Sequence, residues 1–243
     1  MLIRHRIEGH VLLDHPADTL AGARLPQVVL LYGDLKGLDF RGADLTGADL
    51  CEADLTGACF DDALLTGADL SGSDLTGATF RRASLADAKL LGTNLSHADF
   101  TGADLQHSAF RLAYSPQPAV MANVRLNRAN LSYAGLNGAD LSGADLSEAT
   151  LIRTSLVGAN LTGVSLSTSH LLEADLSGAC LEMADLTLAT LHRAKLGGAN
   201  LEQALLGGSL FAECEGLESA MGLEAIHHLA PSTMDGRQLQ MMR

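Results

Sequence analysis

Apolar side chains recur along this chain at every fifth residue. From Leu35 to Phe110 sixteen successive fifth positions are Leu or Phe, and from Leu126 to Phe211 eighteen more obey the same rule. Two residues before each such slot stands a small residue, mostly Ala, as at Ala43, Ala48 and Ala139; the residue immediately before it is often Asp or Asn. The Leu/Phe slot and the small residue are predicted to face inward, the other three positions outward. This period fits neither the ~3.6-residue repeat of a helix nor the ~2-residue repeat of a strand, so the chain must turn a corner about once per repeat. A second period lies above the first: Phe40, Phe60, Phe80 and Phe100 are twenty residues apart, while positions 50, 70 and 90 are Leu. Four sides therefore close one coil, and the phenylalanines stack. Such internal repetition marks a solenoid, in which each coil buries its interior only against its neighbours.

The segments GADLTGADLCEADLTGACF and NGADLSGADLSEATL resemble the A(D/N)LXX pattern of the pentapeptide repeat family. The pattern covers roughly 170 of the 243 residues. The resemblance implies an all-β solenoid, a right-handed quadrilateral β-helix with Leu or Phe and Ala filling the core and backbone hydrogen bonds joining successive coils. At a strand spacing of ~4.8 Å the repeats make a rod roughly 40 Å long, about as wide as a DNA duplex.

Three regions follow. Residues 1–24 read as an N-terminal cap, with LIRHRIEGHVLL strand-like. Residues 25–211 form the β-helix, its first coil degenerate but keeping Leu25 and Leu30 on the beat. Residues 212–243 lose the fives. There Leu217, Met221, Ala225 and Leu229 are four apart, which predicts a short amphipathic helix ending near Pro231; Met234, Leu239, Met241 and Met242 supply further apolar positions. This tail is expected to cap the last coil and, since the resemblance includes members that dimerise through this end, to be a candidate homodimer surface.

Chemistry is sparse along the repeat. A filled core and a convex polar surface offer no concave site with converging polar groups, and the phosphate-loop pattern GxxxxGK[ST] is absent, so no enzyme and no cofactor are expected. His5, His10 and His15 share the beat of five and His227 adjoins His228. With no evident carboxylate partners or full four-coordinate set, they read as solvated or capping residues rather than metal ligands. Cys51, Cys59, Cys180 and Cys214 have no CxxC spacing and read as reduced thiols. No apolar run approaches the ~18 residues of a membrane span, and the N-terminus lacks the apolar core of a signal peptide; no membrane partner is expected, and the cytoplasm is the expected location.

Charge narrows the partner. The formal net charge is −13, which argues against direct nucleic-acid binding because phosphate contacts need clustered Lys and Arg. Residues 20–211 carry 21 acidic and 12 basic side chains, a net of −9. Sorted by side of the square coil, no side of the first block stands out. Asp34, Asp54 and Asp74, however, recur in one slot of three successive coils, followed by Asn94. Like charges ~4.8 Å apart repel by ~0.9 kcal/mol per pair even at the dielectric of water, so stability alone does not choose this ladder, although each Asp also suits a turn N–H. Members of the family imitate DNA and occupy the groove of a type II topoisomerase such as gyrase, so the resemblance implies a protein partner of that kind. A plain interaction scaffold is the alternative.

The beat breaks once, in AFRLAYSPQPAVMANVRL. Phe110 and Leu126 are sixteen apart, three beats plus one residue. Tyr114, Ser115, Pro116, Gln117 and Pro118 are predicted to leave the repeat as a projecting loop or bulge over about residues 112–120, since proline lacks the N–H that an inter-coil ladder needs. That projection and the Asp ladder are the two candidate interaction sites.

Overall fold

A computed structural model describes residues 1–234 of the chain. Backbone pairing is parallel between residues one coil apart: Asp34 with Asp54, Asp39 with Cys59, Asp44 with Leu64 and Asp49 with Asp69, and so on along the rod. Each coil thus has four sides and twenty residues up to the break. On every side the ladder runs in both directions, as where the Leu35 N–H donates to Asp54 O at 2.9 Å and the Asp54 N–H to Gly33 O at 2.9 Å. Corners are closed locally, for instance by the Ala43 N–H to Phe40 O at 2.9 Å. The second corner residue takes positive φ, as at Gly72 (69°) and Arg82 (56°). A Cβ on Gly72 would come within 2.3 Å of a Glu52 carboxylate oxygen, so glycine there serves the column of side chains as well as the turn.

The core is the inward Leu/Phe slot and the Ala two before it, all buried from Leu30 onward. Phe40, Phe60, Phe80 and Phe100 stack with ring centroids 4.7, 4.8 and 4.7 Å apart and planes within 3–4°. That spacing is the coil rise itself, so the ladder rather than ring chemistry sets the stack. Met121 takes the next position.

The N-terminal cap is an antiparallel hairpin of β1 (Leu2–Arg4) and β2 (Val11–Asp14). It buries Ile3 and bonds to the first coil through the Asp34 N–H to Arg4 O (2.9 Å) and the Arg6 N–H to Tyr32 O (2.7 Å). Edge groups that would otherwise end the ladder in solvent are satisfied in this way.

At the other end the structure corrects the expected amphipathic helix. Described residues there hold two single turns of 3-10 helix, Leu217–Ser219 and Leu223–Ala225, and two short strands, His227–Ala230 and Thr233–Met234. The first of these strands runs parallel to Leu205–Gly207, and the second to Leu210–Ala212, which itself pairs with Thr190–His192. Residues 215, 221, 227 and 233 pair with 195, 200, 205 and 210, so the beat has lengthened from five to six. Gly216 and Gly222, both at φ 75°, start the extra turns, and a Cβ on either would lie 2.5–2.6 Å from the backbone below. Leu217, Leu223 and Leu229 thus sit six apart and run from buried through half-buried to exposed as the coil opens. Met221 is exposed rather than packed on a helix face. Met234 ends the final strand, and Leu239 and Met241 lie outside the described residues.

Candidate protein-binding surfaces of the rod

The predicted projection over residues 112–120 shrinks to one corner. Ala113 is buried, Tyr114 pairs with Asn94 and Gly135, and Ser115 fills the inward slot with its hydroxyl donating to Gln117 O. Ala119 is buried again, Val120 pairs with Asp99 and Asp140, and Met121 is the next inward residue. Only Pro116, Gln117 and Pro118 remain outside, three corner residues in place of two. Ser115 and Met121 hide the beat because neither is Leu or Phe. Both prolines fall on the corner, where their fixed φ is tolerated, so the ladder survives on either side.

The surface at this corner is nevertheless unusual. Tyr114, Leu112, Tyr133 and Val120 are all exposed. The guanidinium of Arg111 stands 5.7 Å from the Tyr133 ring centroid, and that of Arg153 5.9 Å. Exposed aromatic and Arg side chains together are the composition of protein–protein contact centres.

The Asp ladder is built as expected, with Asp34 paired to Asp54, and Asp54 to Asp74. Two members also serve their corners: Asp54 accepts the Thr56 N–H at 3.0 Å, and Asp74 accepts the Thr76 N–H at 3.0 Å and its hydroxyl at 2.6 Å. Burial pushes the Asp54 carboxyl up, but the Thr56 hydrogen bonds, aided by Lys36 and Arg6, outweigh it and hold the group below the usual carboxylate range. Where Asn94 follows Asp74, its amide donates to the Asp74 carboxylate at 3.1 Å. One Asn is thus enough to turn repulsion into a bond.

Along the axis the charge is far from even. Residues 34–74 carry ten acidic and two basic side chains, a net of −8, whereas residues 75–211 carry eleven and nine, a net of −2. With coils 4.7–4.8 Å apart, the first stretch occupies about 10–14 Å of axis. That is one net charge per ~1.2–1.8 Å, against one per ~1.7 Å in B-DNA. These carboxylates encircle the rod as a collar, so sorting by side hides them. Summing charge coil by coil along the sequence reveals them.

Among the described residues beyond the collar, Asp99, Asp104, Glu148, Glu173 and Asp175 hold ion pairs. At one corner Arg153 and Glu173 (2.7 Å) and Arg193 and Glu213 (2.7 Å) alternate in successive coils. Another corner pairs Arg128 with Glu148 at 3.0 Å. Collar carboxylates are reached from outside as well: Arg82 pairs with Asp62 at 2.7 Å, Lys89 with Asp69 at 3.2 Å and Arg6 with Glu52 at 4.0 Å. Cys51, Cys59 and Cys180 form no disulfide; the Cys51 thiol is pushed up to about 12, first by burial and then by Asp69 and Asp49, which disfavours the thiolate.

A four-sided coil with a five-residue beat defines a class of protein, and comparison with known families agrees. The family model described as pentapeptide repeats matches in eight copies between residues 19 and 208. The chain belongs to the pentapeptide repeat family. HetL, a pentapeptide repeat protein involved in heterocyst differentiation regulation from the cyanobacterium Nostoc sp. strain PCC 7120, is 30% identical over 81% of this chain and 91% of its own, with a TM-score of 0.43. Full-length QnrB1, a plasmid-mediated fluoroquinolone resistance protein, is 19% identical over 91% and 93%, TM-score 0.38. Rfr23 from the cyanobacterium Cyanothece 51142 is 26% identical over 60% and 91%, TM-score 0.27. Comparison with curated proteins gives no match.

Proposed function

We propose that this protein is a non-enzymatic, protein-binding rod, a right-handed four-sided coil acting in the cytoplasm, that imitates DNA toward a type II topoisomerase such as gyrase. Through that contact it inhibits the enzyme or protects it from a poison. The observation that carries this reading is the collar of residues 34–74, whose net charge per length is that of duplex DNA. A basic groove that holds phosphates by counterion release would hold this collar by the same physics. Asp34, Asp54 and Asp74 have no ion-pair partner among the described residues and lie nearest the capped end. The exposed C-terminal strand His227–Ala230 is where two copies would pair. A supercoiling assay with and without a quinolone tests the reading: inhibition or protection at micromolar protein supports it, and neither effect overturns it.

A scaffold without mimicry is favoured by the mid-rod patch of Tyr114, Tyr133, Leu112 and Arg111, whose chemistry is unlike that of a nucleic acid. Under that reading Tyr114→Ser with Tyr133→Ser abolishes partner binding, while neutralising the collar leaves it intact.

A further inference from the structure

We propose that the tip of the N-terminal hairpin is a binding site for a divalent transition-metal ion, with Zn2+ the best fit. The inference is independent of the topoisomerase reading. His5, Glu8 and His10 each bring one ligand atom to within 4.8 Å of the other two. The backbone fixes this convergence: the His5 N–H donates to His10 O at 2.9 Å, the Gly9 N–H donates to His5 O at 2.8 Å, and Gly9 at φ 72° turns the chain back. The two imidazoles lie with centroids 4.8 Å apart, and His10 Nδ1 is 3.3 Å from a Glu8 carboxylate oxygen. Zinc bonds of about 2.0–2.2 Å in tetrahedral geometry place neighbouring ligand atoms roughly 3.3 Å apart. Glu8 and His10 already hold that separation, and His5 has to close by at most about 1.5 Å.

Two imidazoles and one carboxylate suit Zn2+ rather than Ca2+ or Mg2+, which take oxygen ligands. Glu8 and His10 are exposed, so a fourth position is open to water. Opposing terms set the strength. His5 Nδ1 accepts the N–H groups of Ile7 at 3.3 Å and Glu8 at 3.0 Å, and ligation through either ring nitrogen gives those bonds up. Arg4, which donates to Gly9 O at 2.9 Å, and Arg6 add positive charge at the same turn. The site is therefore a micromolar one rather than a structural zinc. Its occupancy would tie together the hairpin that bonds the first coil at Tyr32 and Asp34.

Isothermal titration of the full-length, tag-free chain with zinc chloride tests this. One saturable equivalent with micromolar affinity is expected at pH 7.5. It should be lost in His10→Ala, weakened in Glu8→Gln, and unchanged in His227→Ala/His228→Ala. X-ray absorption of the loaded protein should show nitrogen and oxygen ligands with imidazole scattering. No saturable uptake, uptake undiminished in His10→Ala, or sulfur in the ligand shell would overturn the site. Because His10 and Glu8 are exposed, circular dichroism of the variants should be unchanged, which separates loss of ligand from loss of fold.

Discussion

The rod between residues 34 and 74 and the rod between 75 and 211 share one core and differ in their surfaces. Inside, both are buried Leu or Phe slots backed mostly by Ala, with Ser115 and Met121 filling two slots beside the corner at 116–118. Outside, the first carries a net of −8 and the second a net of −2, although the second is more than three times as long. The repeat leaves the outward positions free of any folding requirement beyond corner hydrogen bonds, and either Asp or Asn meets that requirement. Asn94 and Asn160, for example, accept the Ser96 and Thr162 N–H groups at 3.1 and 3.2 Å. Three Asp in one column therefore go beyond what the corners require, and a partner that needs negative charge explains the choice.

The largest effect should ignore the contrast altogether. Phe60→Ala removes a ring from the aromatic stack within 34–74 and Leu161→Ala a slot in the longer half; each should cost several kcal/mol, ~3–5 for the Phe and ~2–5 for the Leu, read by thermal unfolding. If only one half proved sensitive, the halves would differ in packing and not merely in surface.

Neutralising the ladder should come next. Asp34→Asn/Asp54→Asn/Asp74→Asn keeps the acceptors that Asp54 and Asp74 give their corners and removes two neighbouring repulsions, at most about 1–2 kcal/mol at low salt; giving up the favoured charge on Asp54 offsets part of this, so the net change should be small and should fade above physiological ionic strength. Loss of stability would show that the carboxylates are structural. Acid acts on the same groups with the opposite sign where they are held below their usual range. Burial pushes the Asp99 carboxyl up, but bonds from Thr101 and the Arg81 guanidinium outweigh it, as Thr56 does for Asp54. A lowered folded value means stability that is present above ~pH 4 and lost as pH falls through the folded value. An acid titration of Asp99→Asn should therefore be flatter below ~pH 4 than that of the parent chain. Smallest of all, Glu173→Gln in the exposed Arg153–Glu173 corner should leave the melting temperature unchanged within error, as exposed pairs contribute little.

Most of this architecture is legible in the sequence because Leu and Phe at a fixed interval admit few alternatives. Legibility fails where a slot is filled by something else. Ser115 and Met121 keep the beat in space but not in residue type, so a single extra corner residue reads as a nine-residue loop. Near the end, apolar residues four apart suggest a helix. The structure instead follows a beat of six through Leu217, Leu223 and Leu229, set by Gly216 and Gly222, and pairing between coils 20 or more residues apart decides against local periodicity. The Asp ladder is visible from the spacing alone, whereas the collar emerges only when charge is summed along the axis. At the hairpin, Glu8 breaks the histidine interval, and only the turn brings it beside His10.

The central claim is that the collar competes with DNA for one basic surface. Fluorescence anisotropy of a labelled duplex bound to gyrase, titrated with this protein, tests it most directly. The parent chain should displace the duplex, increasingly so as salt is lowered, and Asp34→Asn/Asp54→Asn/Asp74→Asn should displace it markedly less while folding equally well. Displacement that is equal for the two chains, or absent for both, would contradict it.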